Sequence, residues 1–162
     1  MNDTQRRRLV EALHDGPLQI VLAVTGGGVA VINDLLQVPG ASRTVLEVVV
    51  PYASASLAEL VGSEPEQATS EATAVAMAES CRLRARELAP DAVVAGVACT
   101  AALVTDRPKR GDHRAHIAVA TDDGTSAWYA GFDKGDLDRA GEDRATADVI
   151  LEALAEAAAL EL

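Results

Sequence analysis

Continuous apolar runs alternate with amphipathic stretches along this chain. Leu18 to Val24, Val45 to Val50 and Ala92 to Cys99 are unbroken apolar segments of strand length, the pattern of strands buried on both faces. Residues 3–14 read as a helix with Leu9, Val10 and Leu13 on one face, capped by Asp3 or Thr4 and stopped at Gly16-Pro17. Val29 to Leu36 and Ser54 to Val61 read as short helices, the second ended by Gly62. Ser70 caps a long helix with Glu71 in its first turn and Arg82, Arg84 and Arg86 towards its end, charges that complement the helix dipole; Pro90 closes it. Ala115 to Ala120 and Thr125 to Phe132 form a hairpin around Asp122-Asp123-Gly124, and a last helix runs from about Glu142 to Ala158. Helix, βα units, hairpin and helix in that order predict an α/β fold: a three-layer α/β/α sandwich with a mixed, mainly parallel sheet, residues 1–162 making one domain.

Composition sharpens this picture. Hydrophobic residues make up 49% of the 162 positions but aromatic ones only 2%, so the core has to be built from Ala, Val and Leu packed closely between layers. A net charge of −11 repels phosphodiester backbones and anionic lipid, which argues against nucleic-acid and membrane partners. No apolar run reaches the length of a membrane span, and the polar start (Asn2, Asp3, Thr4, then Arg6-Arg7-Arg8) has no apolar segment of a secretory signal behind it. Cys81 and Cys99 lie in apolar sequence without metal-ligand spacing and read as reduced core thiols of a cytoplasmic protein.

Candidate chemistry concentrates in three turns: 25–28, 39–43 and 100–114. Each carries a hydroxyl, at Thr25, Ser42 and Thr100. Gly26-Gly27-Gly28 joins a strand to a helix, either as a tight turn or as a place where backbone N–H groups approach an anion. Ser42 is a turn or cap serine, or a nucleophile if a base lies within reach. The run Arg107-Pro108-Lys109-Arg110-Gly111-Asp112-His113-Arg114 is a solvated basic loop, or a clamp for phosphate or carboxylate. His113 and His116 have no evident third ligand, so neither a metal nor another cofactor is expected.

These turns carry a resemblance. Val24-Thr25-Gly26-Gly27-Gly28, Pro39-Gly40-Ala41-Ser42, Val50-Pro51-Tyr52, Leu60-Val61-Gly62, Ala76-Met77-Ala78-Glu79, Val97-Ala98-Cys99-Thr100 and Gly141-Glu142-Asp143-Arg144 follow one another as the matching motifs do in CinA C-terminal domains, over residues 18–160. The chain resembles that family, and most closely a subgroup with Val-Pro-Tyr and Arg-Pro-Lys-x-Gly-Asp-His-Arg. The resemblance implies hydrolysis of the carboxamide of nicotinamide mononucleotide, a step of pyridine-nucleotide (NAD) metabolism, by a serine whose proton a lysine accepts. Carried over, the nucleophile falls on Ser42 and the family tyrosine on Tyr52. The first-turn hydroxyl falls on Thr25, the substrate-binding threonine on Thr100 and an arginine on Arg144. The lysine position holds Leu57, which cannot accept a proton.

Two functions follow. In one, the domain is an amidohydrolase in which His113, Lys109 or Lys134 replaces the lysine. His113 is the better candidate because histidine is the side chain suited to proton transfer near neutral pH, Thr25 and the glycine N–H groups hold the oxyanion, and Arg107, Arg110 or Arg114 grips the substrate phosphate. In the other, it is an inactive nucleotide-binding or regulatory domain. Either takes a small phosphorylated ligand, and the family habit of self-association makes a homo-oligomer the expected state.

Overall fold

The computed structural model describes residues 1–161. Five strands and five helices follow in the order α1 (Asp3–Asp15), β1 (Leu18–Thr25), α2 (Ala30–Gln37), β2 (Val45–Val49), α3 (Ser54–Val61), α4 (Glu71–Leu88), β3 (Val93–Ala102), β4 (His113–Thr121), β5 (Gly124–Phe132) and α5 (Arg139–Ala157). They form one mixed sheet in the order β2-β1-β3-β4-β5. β1 pairs in parallel with β2 and β3, whereas β3–β4 and β4–β5 are antiparallel, so four of the five strands point the same way.

Helices cover both faces, as the buried runs at β1 and β3 require. On one face α1, α2 and α5 pack Val10, Leu13, Leu35, Ile150, Leu151 and Leu154 against Ile20, Leu22, Val97 and Ile117. On the other, α3 and α4 bring Leu57, Met77, Ala78 and Cys81 onto Val21, Ala23 and Ala98. The scarcity of large rings has its counterpart at Gly96, where a Cβ would lie 2.0 Å from the Ala78 carbonyl oxygen. The long helix rests almost directly on the central backbone.

At the starts of α1 and α5 the structure departs from the sequence reading for a visible reason. α1 is capped by Asn2 rather than Asp3 or Thr4, because Asn2 and Gln5 satisfy one another's backbone N–H groups in a capping box. α5 begins at Arg139, earlier than Glu142, because the Asp138 carboxylate accepts a hydrogen bond from the Gly141 N–H at 2.8 Å. Trp128 packs on the α5 face, whereas the Tyr129 ring, edge-on to His116, is 60% exposed. No helix among the described residues is long and apolar enough to cross a membrane.

Candidate functional site

Strand direction sorts the candidate residues. Thr25 ends β1 in register with Thr100, two residues before the end of β3, at the edge where the parallel strands finish. Ser42 lies in a 3-10 turn, Ala41–Arg43, that leads into β2, whose first residue Val45 pairs with Ile20. Thr25 is five residues further along β1 than Ile20, so Ser42 and Thr25 are separated by roughly 16 Å or more along the strands. The turn 39–43 thus belongs to the opposite edge of the sheet from the other two. The groups next to it are engaged elsewhere: His14, packed beside Gly40, has Nδ1 on the Thr44 hydroxyl at 2.8 Å and Nε2 on the Leu35 carbonyl at 3.0 Å, and the Asp15 carboxylate pairs with Arg43 at 3.1 Å. His113 opens β4 at the far edge, so it cannot serve Ser42 within one chain. Leu57 is 4% exposed, directed into the apolar layer beneath α4.

The glycine turn is already occupied. The Asp143 carboxylate accepts hydrogen bonds from the N–H groups of Gly28 (2.7 Å), Val29 (3.1 Å) and Ala30 (3.0 Å), the donors that start α2. These are the groups a ligand anion would use. The glycines are there for space as well: at Gly26, φ is +78° and a Cβ would sit 1.8 Å from the Ala101 carbonyl oxygen. The donors from Gly28 onward are therefore satisfied from within by Asp143.

The remaining residues divide between the faces. Thr25 and Thr100 are buried on the α4 face, where the Thr100 hydroxyl donates to the Ala68 carbonyl at 2.7 Å. Arg114 shares that face and donates to the Thr69 carbonyl, tying down the segment before α4. Arg144 faces neither: it pairs with Asp34 of α2 (3.0 Å) and Asp148 (3.1 Å), in a network that Arg6 and the N-terminal amine join at Asp148. Burial pushes the Asp148 carboxyl up, but the hydrogen bond from Arg6 and the charges of Arg144 and Arg6 prevail and hold it below the ordinary range. Tyr52, 65% exposed, reaches the parallel-strand end, where Arg139 donates to its hydroxyl at 3.4 Å and to the Gly26 carbonyl at 2.9 Å.

On the α5 face the 103–113 loop bounds a cleft of about 370 Å³ lined by Val104–Lys109, His113 and Lys134. Arg107 belongs to it; Arg110 is exposed beyond it. Lys109 donates to the Leu103 carbonyl, and Lys134 to the carbonyls of Lys109 (2.8 Å) and Arg110 (3.3 Å), so the cations hold the loop's shape. Behind them His113 Nδ1 meets Glu142 Oε1 at 2.8 Å, and Glu142 Oε2 accepts the Val104 N–H at 2.8 Å. Burial, opposed by Glu142 and then reinforced by Arg139, Arg114 and Lys134, lowers the pKa of the Lys109 ammonium.

Comparisons with known proteins bear on the family and the fold. The model of the CinA C-terminal domain matches residues 2–157. The chain belongs to the CinA C-terminal domain family. Solved CinA-like structures share its fold. Competence/damage inducible protein CihA from Agrobacterium tumefaciens superposes with a TM-score of 0.75 at 22% identity, covering 94% of this chain and 93% of that one. A competence or damage-inducible protein from Enterobacter asburiae gives 0.72 at 18% identity, over 96% and 95%. The CinA superfamily protein KP700603 from Klebsiella pneumoniae gives 0.72 at 16%, over 98% and 99%. No curated protein matches the sequence.

Within this CinA domain, Glu142, Asp143 and Arg139 are the site residues that motif reading assigned no role. Glu142 had a signal of its own. It lies four and eight residues before Thr146 and Ile150 on the buried stripe of α5, where a carboxylate has to find partners.

Proposed function

We propose that this CinA-family domain binds a small phosphorylated molecule of the nucleotide class at the loop 103–113 end of its sheet, without the serine-dependent amide hydrolysis that the resemblance implies. The observation that carries this reading is the segregation of the parts. Ser42 stands at one edge, Thr25, Thr100, Tyr52 and His113 at the other, and the lysine position is a buried leucine. A nucleophile needs its base within hydrogen-bond reach. What remains is a cleft of ligand size lined by Arg107, Lys109 and Lys134 on a chain of net charge −11. Cations so concentrated on an acidic surface suit a phosphate-bearing partner.

Thermal unfolding with nicotinamide mononucleotide and other nucleoside phosphates, run beside an ammonia assay, tests this. A ligand at about a hundred times its dissociation constant should raise the midpoint by roughly 5–10 °C. Ammonia should not be released. Release by the native protein that disappears in Ser42→Ala would overturn the reading and restore the serine hydrolase, with a base from outside the single chain.

A further inference from the structure

The glycine turn and the basic cleft compete as the seat of a ligand's phosphate, and the structure separates them. The donors at the start of α2 are spent on Asp143. The cleft, by contrast, contains an uncommitted polar atom on a nearly buried side chain. His113 is 8% exposed, its Nδ1 is fixed by Glu142, and Glu142 is itself wholly buried and fixed by the Val104 N–H. Among the described residues the only enclosed side-chain nitrogen or oxygen without a partner is Arg144 Nε. Nε2 of His113, which has no partner among the described residues, is therefore not fully enclosed, and the residue that carries it lines the cleft. With a carboxylate on Nδ1, that nitrogen carries the proton. Nε2 is then an acceptor in the neutral ring and a donor in the charged one.

We propose that the cleft formed by Val104–Lys109, His113 and Lys134 is the phosphate subsite, and that the protonated His113 ring donates from Nε2 to the bound phosphate while Glu142 holds its orientation. This rests on the ligand-binding reading above and adds to it a location and a dependence on protons. The charged groups around the ring are Glu142 and Arg139 from α5, Asp106, Arg107 and Lys109 from the loop, and Lys134 after β5. Arg114 and His116 flank the strand: Arg114 donates to the carbonyls of Thr69 and Asp112, and His116 sits against Tyr129. Among these groups the imidazole is the one that ordinarily changes charge between about pH 5 and 8. An anion of fixed charge should accordingly bind more tightly on the acid side of that window.

Sulfate, a dianion throughout that window, is the probe, titrated calorimetrically into the full chain. Binding should be about tenfold tighter at about pH 5.5 than at about pH 8.5, the worth of one charge-assisted hydrogen bond. His113→Gln should bring that ratio to about one, whereas Lys134→Ala should weaken binding at both values and leave the ratio standing. Absent binding, a pH-independent affinity, or a ratio that survives His113→Gln would each overturn the proposal. If His113→Gln fails to fold, imidazole-labelled native protein decides by nitrogen NMR: sulfate must move the His113 Nε2 resonance, and an unmoved signal overturns the assignment. The two readings fail separately. A nucleotide that stabilises native protein and His113→Gln alike keeps ligand binding and removes this subsite. Acid-favoured sulfate binding without any nucleotide response keeps the subsite and removes the nucleotide.

Discussion

Asp143 is the residue through which this domain departs most from a ligand-cradling glycine turn. Its carboxylate takes three backbone donors at the start of α2 and sits where the positive end of the helix dipole favours an anion. Asp143→Ala should cost about 1–2 kcal/mol in urea unfolding, the scale of a lost helix cap. A change within a few tenths would mean that water replaces the carboxylate without loss. The sequence made the turn legible but not its occupant. Gly26-Gly27-Gly28 announces a close backbone approach, whereas the group that fills it lies 115 residues away from Gly28. Ser42 shows the same limit. Its motif is readable, but which edge of the sheet it occupies depends on β2 running parallel to β1, a pairing that no local pattern encodes. His113 could be named from its loop, whereas its partner Glu142 could be found only by noticing a carboxylate on an apolar stripe.

At the scale of elements, the strands and helices were largely legible because each carries its own period and punctuation. α3 ends at Gly62, whose φ of +87° is the left-handed cap that glycine favours. The last two strands extend further towards each other than the apolar run implied, since β4 reaches Thr121 and β5 starts at Gly124, leaving the tightest possible turn. Close layering of α4 on β3 is the less visible element-level fact. A Cβ at Gly96 would meet Ala78 O at 2.0 Å and Arg82 N at 2.2 Å, both backbone atoms that cannot swing aside. Gly96→Ala should therefore push the helix off the sheet and cost about 3 kcal/mol or more, read as a lower urea midpoint. A near-neutral effect would show that the layers slide apart freely.

The molecule as a whole keeps its two thiols inside. Cys81 and Cys99 lie in opposite layers of the core. Burial, with a smaller contribution from Glu47, pushes the Cys81 thiol up to about 12. Burial, and then Asp143, raises Cys99 as well. The thiolate is the reactive form, so neither should react with iodoacetamide at neutral pH until the fold opens. Alkylation of the native protein should run at the rate of unfolding and accelerate together at both sites in urea. Fast labelling at one cysteine alone would reveal a layer that opens independently.

The contact between Asp143 and the first turn of α2 also sets an order of assembly. The donors it satisfies belong to the first fifth of the chain, and the acceptor arrives only with α5, after every strand. While the chain is being synthesised, β1 and α2 leave the ribosome with that helix start unsealed. They also leave without the central partner β3. The last helix is thus a closing piece: its docking completes the layer that α1 and α2 begin, joins Glu142 to His113 and satisfies the donors at the start of α2. A chain interrupted before α5 would present the same backbone donors to any passing anion, including the carboxylates of other chains.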